Sequence, residues 1–309
     1  MSTFSLWFAA LLALSLLGLS VESAEAGIRH RAVKPVPSSI AFRSRPLTFD
    51  LSAALRSSVA LVIDRDTGRE LFAKNAQNVV PIASITKLMT ALVVLRSQPS
   101  LDDVLTITSA DVDRLKNSSS RLGVGSRLTR REMLQLALMS SENRAAHALA
   151  RNQPGGESEF VADMNSTARE IGMENTFFAD PTGLSPSNRS TARDLVRLVK
   201  AAGEVPLISK LSTTGEHSVS LGRRLVHYRN TNRLIPRSDW GIELQKTGYI
   251  DEAGKCLVMQ ATIIGRSLVL VLLNGRGPSA RVRDAENIKR WLRWNPADKA
   301  LGEIAGRDR

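Results

Sequence analysis

An α+β fold is predicted by three features of the sequence. Strand-like segments lie near both ends of the chain, and helical patterns fill the middle. The last three strands are joined by turns too short for parallel crossovers, so they must pair antiparallel. A sheet assembled from both chain ends, flanked by helices and carrying a mostly helical subdomain inserted at about residues 98–230, satisfies all three. The folded domain is expected to run over residues 58–295.

The elements follow in order. Residues 58–64 (Ser-Val-Ala-Leu-Val-Ile-Asp) read as a strand, Asp66-Thr67-Gly68 as a turn, and Glu70-Leu71-Phe72-Ala73 as a second strand, which makes a hairpin. From Ile82 to Leu95 nearly every residue is apolar or small, with Pro81 suited to the helix entry. An apolar pattern on all sides marks a helix buried inside a domain. Helical periodicity returns over 128–139, with Thr129 as N-cap. It breaks at Ser140-Ser141-Glu142-Asn143 and resumes over 144–151, ended by Pro154-Gly155-Gly156. Residues 157–172 form an amphipathic helix, and residues 191–202 another. Strands are expected at 242–247, 255–264 and 268–273, and a closing helix at 284–294. Glu142 is expected to face solvent.

The termini read differently. Leu6 to Leu19 is almost wholly apolar and Ala24-Glu25-Ala26 follows, the pattern of a secretory signal over residues 1–26. Its first five residues lack Lys or Arg, so an uncleaved anchor is the other reading. Residues 27–57 mix Arg, Lys and Pro and read as a loosely ordered arm. Residues 296–309 read as a polar tail.

Composition narrows the function. With 309 residues and 43% hydrophobic content, the chain can bury a substantial core. The formal charge of +12 suits an anionic partner. Nucleic acid is disfavoured by the secretory signal, which leaves peripheral contact with wall polymer or anionic lipid. One cysteine, Cys256, excludes an intrachain disulfide, and its apolar surroundings point to packing. The four histidines show no metal spacing, so no metal or other cofactor is expected.

Chemistry concentrates at three places. Ser84 and Lys87 lie three apart at the start of the buried helix, on one face of its first turn. A serine nucleophile with a neutral lysine as base is one route to acyl transfer. S-x-x-K alone is expected roughly once by chance in a chain of this length. Ser141 and Asn143 form an S-x-N in the break between two helices. Lys246-Thr247-Gly248 ends a strand, with Tyr249 beside it. The three in this order mark penicillin-binding proteins and class A β-lactamases.

Long stretches around these motifs carry a resemblance: residues 80–91, 136–146, 181–185, 190–195, 246–249 and 253–259. The sequence resembles the low-molecular-mass penicillin-binding proteins, serine D,D-peptidases, and among them the D-alanyl-D-alanine endopeptidases of the penicillin-binding protein 7 kind. The resemblance covers about residues 55–295 and implies a β-lactamase/D,D-peptidase-like fold. It implies Ser84 as nucleophile and Lys87 as its base, with Lys246 helping to keep Lys87 neutral through like-charge repulsion. Ser141 would relay a proton to the leaving amine, and Asn143 would orient Lys87 and the substrate amide. Ser84 and Tyr249 would supply the oxyanion-hole N–H groups. Lys246 and Thr247 would bind a carboxylate beside the scissile amide, and Gly248 would leave room for substrate backbone. The implied partners are peptidoglycan peptide cross-links, with β-lactams as covalent inhibitors, and the implied location is the periplasm. The motifs leave a D-alanyl-D-alanine carboxypeptidase open as the alternative. The polar C-terminal tail, without an amphipathic anchor, favours the endopeptidase. A β-lactamase is disfavoured because no Glu-x-x-Leu-Asn stretch lies between Asn143 and Lys246. A non-catalytic wall-binding protein is the reading from a different class.

Overall fold

The computed structural model describes residues 49–294. The expected signal segment, most of the arm and the polar tail lie outside the described residues. The chain begins with helix α1 (Leu51–Ala54), strand β1 (Ser57–Asp64), strand β2 (Glu70–Lys74) and the short β3 (Val80–Pro81). Helix α2 (Thr86–Arg96) follows, then β4 (Val104–Thr106) and β5 (Arg127–Thr129). Next come α3 (Arg130–Met139), α4 (Asn143–Arg151), α5 (Gly156–Glu170), β6 (Arg189–Ser190), α6 (Ala192–Gly203) and α7 (Pro206–Thr213). The chain closes with β7 (Glu216–Leu221), β8 (Arg224–Arg229), β9 (Ile242–Ile250), β10 (Gly254–Ile263), β11 (Arg266–Gly275) and α8 (Ala280–Trp294).

Five strands form the central sheet in the order β2-β1-β11-β10-β9, all antiparallel. The first strand therefore pairs with the last, Val59 opposite Leu273, and the sheet draws on both ends of the chain. Alternate residues serve opposite faces, as the two-residue repeat of a strand requires. Val59 and Leu61 of β1, with Val269 and Val271 of β11, join the large core under the helices. Ala60 and Val62, with Leu268, Leu270 and Leu272, face a second core with α1 and α8. A sheet buried on both faces explains the unbroken apolar runs Cys256 to Met259 in β10 and Leu268 to Leu273 in β11. Asp284 ties α8 to β1: its carboxylate accepts from the N–H groups of Arg56 (2.9 Å) and Ser57 (2.7 Å) and from the Ser57 hydroxyl (2.6 Å).

The helical layer rests on α2, whose residues Thr86 to Val94 are all buried. Thr129 is the N-cap of α3, as the sequence anticipates, and the structure adds a reciprocal capping box with Glu132.

Several local expectations change. Pro81 does not open the buried helix; it lies in β3, paired with β6, and a 3-10 turn over Ala83–Ile85 precedes α2. The expected arm carries structure at its end, because Leu51 and Leu55 bury against the second core. The Lys246-Thr247-Gly248 stretch lies within β9, which runs on to Ile250. The β7–β8 hairpin and α7 fall in a region given no assignment from sequence. Only Val219, Val226 and Tyr228 of that hairpin are buried, so its alternation is short.

Candidate active site

Ser84 sits in the 3-10 turn, half-buried, at the entry to α2. The residue before it, Ala83, has a left-handed backbone (φ 47°), which is rare for a side chain with a Cβ. Two glycines make room for that turn. A Cβ on Gly183, itself at φ 81°, would lie 2.0 Å from the Ala83 carbonyl oxygen, and a Cβ on Gly248 would lie 3.1 Å from the Ser84 nitrogen. Gly248 therefore seats β9 against the serine's own backbone, and it also lines the cleft in front of Ser84.

Lys87 is wholly buried on the first turn of α2. Its Nζ lies 2.9 Å from Ser84 Oγ, 2.7 Å from Asn143 Oδ1 and 2.7 Å from the Thr182 carbonyl oxygen. Burial pushes its pKa down to about 7, against a smaller upward pull from Asp180, Glu142 and Asp113. A neutral amine has two N–H donors and one lone pair. Two carbonyl acceptors at the shorter distance take the donors, and the lone pair is left for the serine hydroxyl. Asn143 is held in the matching orientation, since its Nδ2 donates to Ser118 Oγ at 2.9 Å.

Ser141 and Lys246 repeat this arrangement on the opposite wall. Ser141 is left-handed (φ 63°) in the junction between α3 and α4. Lys246 is wholly buried, and its Nζ donates to Ser141 Oγ (2.9 Å) and to the Thr247 carbonyl (2.8 Å). Burial lowers its pKa well below the usual lysine value, and the charges of Lys87 and Arg281 press the same way. For Lys87 itself burial is the largest cause of the depression.

A cleft of about 420 Å³ opens in front of these groups. Ser84, Ser141, Asn143, Thr247, Gly248 and Tyr249 line it, while Lys87 and Lys246 stand behind their serines. The Thr247 hydroxyl is 2.6 Å from that of Thr231, and Arg281 lines the same end, with one Nη1 3.3 Å from the Gly248 carbonyl oxygen. Tyr249 is half exposed and donates its hydroxyl to Asp251. At the mouth, Lys116 from the loop after β4 meets Glu252 from the β9–β10 turn, Nζ to Oε1 2.5 Å. A larger groove of about 530 Å³ adjoins across Asn143, lined by Asp111, Asp113 and His147 among others.

Sequence reasoning missed several of these groups. Thr182 acts through its main chain. Ser118 lies in a serine-rich loop, and Arg281 is one of many basic residues. Glu142 is buried rather than solvent-facing: its carboxylate accepts from Ser120 Oγ (2.6 Å) and from the Arg144 N–H as the N-cap of α4. Asp180 accepts from the N–H groups of Thr182, Gly183 and Ser185, and so shapes the turn that delivers the Thr182 carbonyl to Lys87. Arg193 pairs with Glu70 at 2.6 Å. Among the described residues, no cluster of three or more His, Cys, Asp or Glu could hold a metal ion.

The fold and this cleft together define a serine acyl-transfer enzyme. The chain belongs to the D-alanyl-D-alanine carboxypeptidase family, whose model matches residues 47–277. It is 50% identical to a D-alanyl-D-alanine endopeptidase of Pseudomonas aeruginosa over 244 residues, 78% of this chain and 79% of the relative. It is 40% identical to a D-alanyl-D-alanine endopeptidase of Escherichia coli over 263 residues, 84% of each chain. Among solved structures, a Streptomyces DD-transpeptidase superposes with a TM-score of 0.71 at 30% identity, covering 77% of this chain and 97% of that one.

Proposed function

We propose that the protein is a serine D,D-endopeptidase that hydrolyses D-Ala–diaminopimelate cross-links in peptidoglycan, through an acyl-enzyme on Ser84 that β-lactams also form. The observation that carries this reading is the environment of Lys87: a buried amine with a pKa of about 7, whose two donors are occupied by carbonyl oxygens and whose remaining valence faces Ser84 Oγ.

In this reading Lys87 takes the Ser84 proton as Oγ attacks the D-Ala carbonyl. The N–H groups of Ser84 and Tyr249 receive the oxyanion, and each such donor is worth about 3 kcal/mol in the transition state. Ser141, backed by Lys246, passes a proton to the departing amine as the C–N bond breaks. The proton that Lys87 took replaces the one Ser141 gave up, so both groups are restored. Water then attacks the ester, and Lys87 takes its proton and hands it to Ser84 Oγ as the ester C–O bond breaks. Lys246 is wholly buried, so direct contact with the carboxylate beside the scissile amide falls to the Thr247 hydroxyl and the Arg281 guanidinium.

The names of the relatives at 50% and 40% identity support the endopeptidase over the carboxypeptidase. The carboxypeptidase is the second reading, because a terminal D-Ala offers the same carboxylate and the matching family carries that name. The apolar segment at Leu6 to Leu19 supports export to the periplasm through a cleaved signal. Among the described residues no helix is long and apolar enough to cross a membrane. The net charge supports peripheral contact with an anionic wall polymer or lipid surface. Incubation with a cross-linked muropeptide dimer and with a pentapeptide, read by product mass, tests the assignment. Dimer cleaved to monomers is expected. Loss of D-Ala from the pentapeptide with the dimer intact would install the carboxypeptidase instead.

A further inference from the structure

Beside the catalytic cleft, three cations stand around a small polar cavity. It measures about 190 Å³ and shares Thr231 and Arg281 with the cleft. Arg233 and Lys255 complete its basic wall, and Ser279, just ahead of α8, lines it as well. Among the described residues none of the three cations forms an ion pair. Arg281 reaches only the Gly248 carbonyl, and Lys255 stacks its Nζ 3.4 Å above the Tyr249 ring. They repel one another: Arg233 presses on Arg281, and Arg281 on Lys255, on top of the burial that lowers both. Asp251 offsets Lys255 in part, but one carboxylate against three cations leaves an excess of positive charge, which favours an anion. The start of a fifteen-residue helix adds to the same potential.

A second, independent feature points the same way. Asn232 is 3% exposed and lines this cavity. Its Oδ1 accepts from the Leu234 N–H at 3.0 Å, but its Nδ2 has no hydrogen-bond partner. A buried donor without an acceptor is uncommon enough to require a reason. The nitrogen is itself closed off from solvent, so an anion in the cavity would satisfy it once the side chain turns outward.

We infer that this cavity is a subsite for a second carboxylate of the leaving peptide, held by Arg233, Lys255 and the Asn232 amide. The inference rests on the endopeptidase reading and sharpens it. A departing D-Ala carries one carboxylate, and Thr247 and Arg281 suffice for that. A departing diaminopimelate peptide carries at least one more, and the basic cavity is the next feature along the wall. Asn232 and Arg233 also border a further groove of about 590 Å³ that includes Arg229, so the same segment leads the strand away from Ser84. The subsite thus distinguishes a peptide leaving group from a single amino acid.

Arg233 is exposed and, among the described residues, has no hydrogen-bond or ion-pair partner to lose, so Arg233→Gln should leave the fold intact. We expect kcat/KM on the cross-linked dimer to fall about tenfold, mainly through KM, as for a lost charged contact. Acylation by penicillin and release of D-Ala from a pentapeptide should stay within about twofold, and Arg233→Lys should restore part of the loss. Unchanged dimer hydrolysis, or an equal fall for all three substrates, would overturn the subsite. A binding arm separates this from failure of the endopeptidase reading. A diaminopimelate peptide, and the same peptide amidated at its second carboxylate, compete with fluorescent penicillin for the wild type and for Arg233→Gln. The wild type should prefer the free acid several-fold and the variant should not. Equal competition by both forms in the wild type refutes the subsite even if the enzyme proves to be a carboxypeptidase.

Discussion

If Lys87 is the base, acylation must follow its protonation. The perturbation is pH, and the readout is the second-order rate of Ser84 labelling by a fluorescent penicillin in a single turnover. With a pKa of about 7, about a tenth of the amine is neutral at pH 6 and about nine tenths at pH 8. The active form is the deprotonated one, so the rate is lost as pH falls through about 7. We expect a rise of close to tenfold per unit below pH 6.5, a bend near 7 and a plateau above 8. At the ordinary lysine value of 10.5, only about 0.03% would be neutral at pH 7, so burial raises the active fraction roughly a thousandfold. That corresponds to about 5 kcal/mol of differential interaction between charged and neutral amine. The groups acting on Lys87 from neighbouring elements are Asp180, Glu142 and Asp113, all opposing the depression. Glu142→Gln removes one of them and should move the bend to lower pH. A rate that is flat from pH 6 to 9, or that still climbs above pH 8.5, would refute the reasoning.

Four further outcomes follow from the same geometry. The native state binds fewer protons at Lys87 than the unfolded chain between about pH 7 and 10.5. Its cost is therefore full below pH 7 and relieved as pH rises, and urea unfolding should show Lys87→Met losing about 2 kcal/mol of the stability gain between pH 7.5 and 9. Gly183→Ala forces a Cβ to within 2.0 Å of the Ala83 carbonyl oxygen at a left-handed position, so thermal melts should show a loss of about 1–3 kcal/mol, with penicillin labelling reduced at least in step. Ser118→Ala frees the Asn143 amide and should cut acylation about tenfold with little change in stability, measured by labelling and melting together. Each carboxylate near Lys87 is already engaged, Asp113 by the Leu115, Lys116 and Ser118 N–H groups, Glu142 by Ser120 and Asp180 by its own turn. None is free to activate water, so intact-mass spectra should show the penicilloyl adduct persisting, and rapid drug turnover would contradict this.

What the sequence disclosed depended on how local each signal was. The buried helix was legible because apolar residues surround it on all sides, and the three motifs because each is a run of three or four residues. The sheet could be assembled from both ends because β9, β10 and β11 are separated by short turns. Backbone groups were invisible: nothing in Pro181-Thr182-Gly183 announces that the Thr182 carbonyl will take a proton donor of Lys87. Glu142 was misplaced because an N-cap carboxylate and a solvent-facing one look alike between two polar neighbours. The β7–β8 hairpin escaped because it buries few side chains, though Val219 opposite Val226 in alternating strands, with Gly222-Arg223 between, was a usable sign.

The placement of Ser84, the proposed nucleophile, follows from the same packing. An ordinary helix N-terminus would put Ser84 on an extended N-cap, with its hydroxyl spent on the N–H groups of the first turn. Here Ala83 is left-handed and the first turn is 3-10, so Ser84 caps nothing and its Oγ is left to Lys87. A single left-handed alanine costs about 1 kcal/mol, and it persists only because neighbours over-determine it. Those neighbours come from separate parts of the chain: Gly183 against the Ala83 carbonyl, and Gly248 against Ile82 and the Ser84 nitrogen. The second serine repeats the device, since Ser141 is also left-handed and also faces a buried lysine. In the cleft the left-handed backbone thus falls on Ala83, next to Ser84, and on Ser141 itself, where it keeps the two hydroxyls free of helix capping. The glycines that permit it lie on the strand and on the turn that bring Lys246 and the Thr182 carbonyl into the cleft. Fold and reactivity are fixed by one set of contacts, so a change that relaxes Ala83 should release the nucleophile and loosen the β9 edge together.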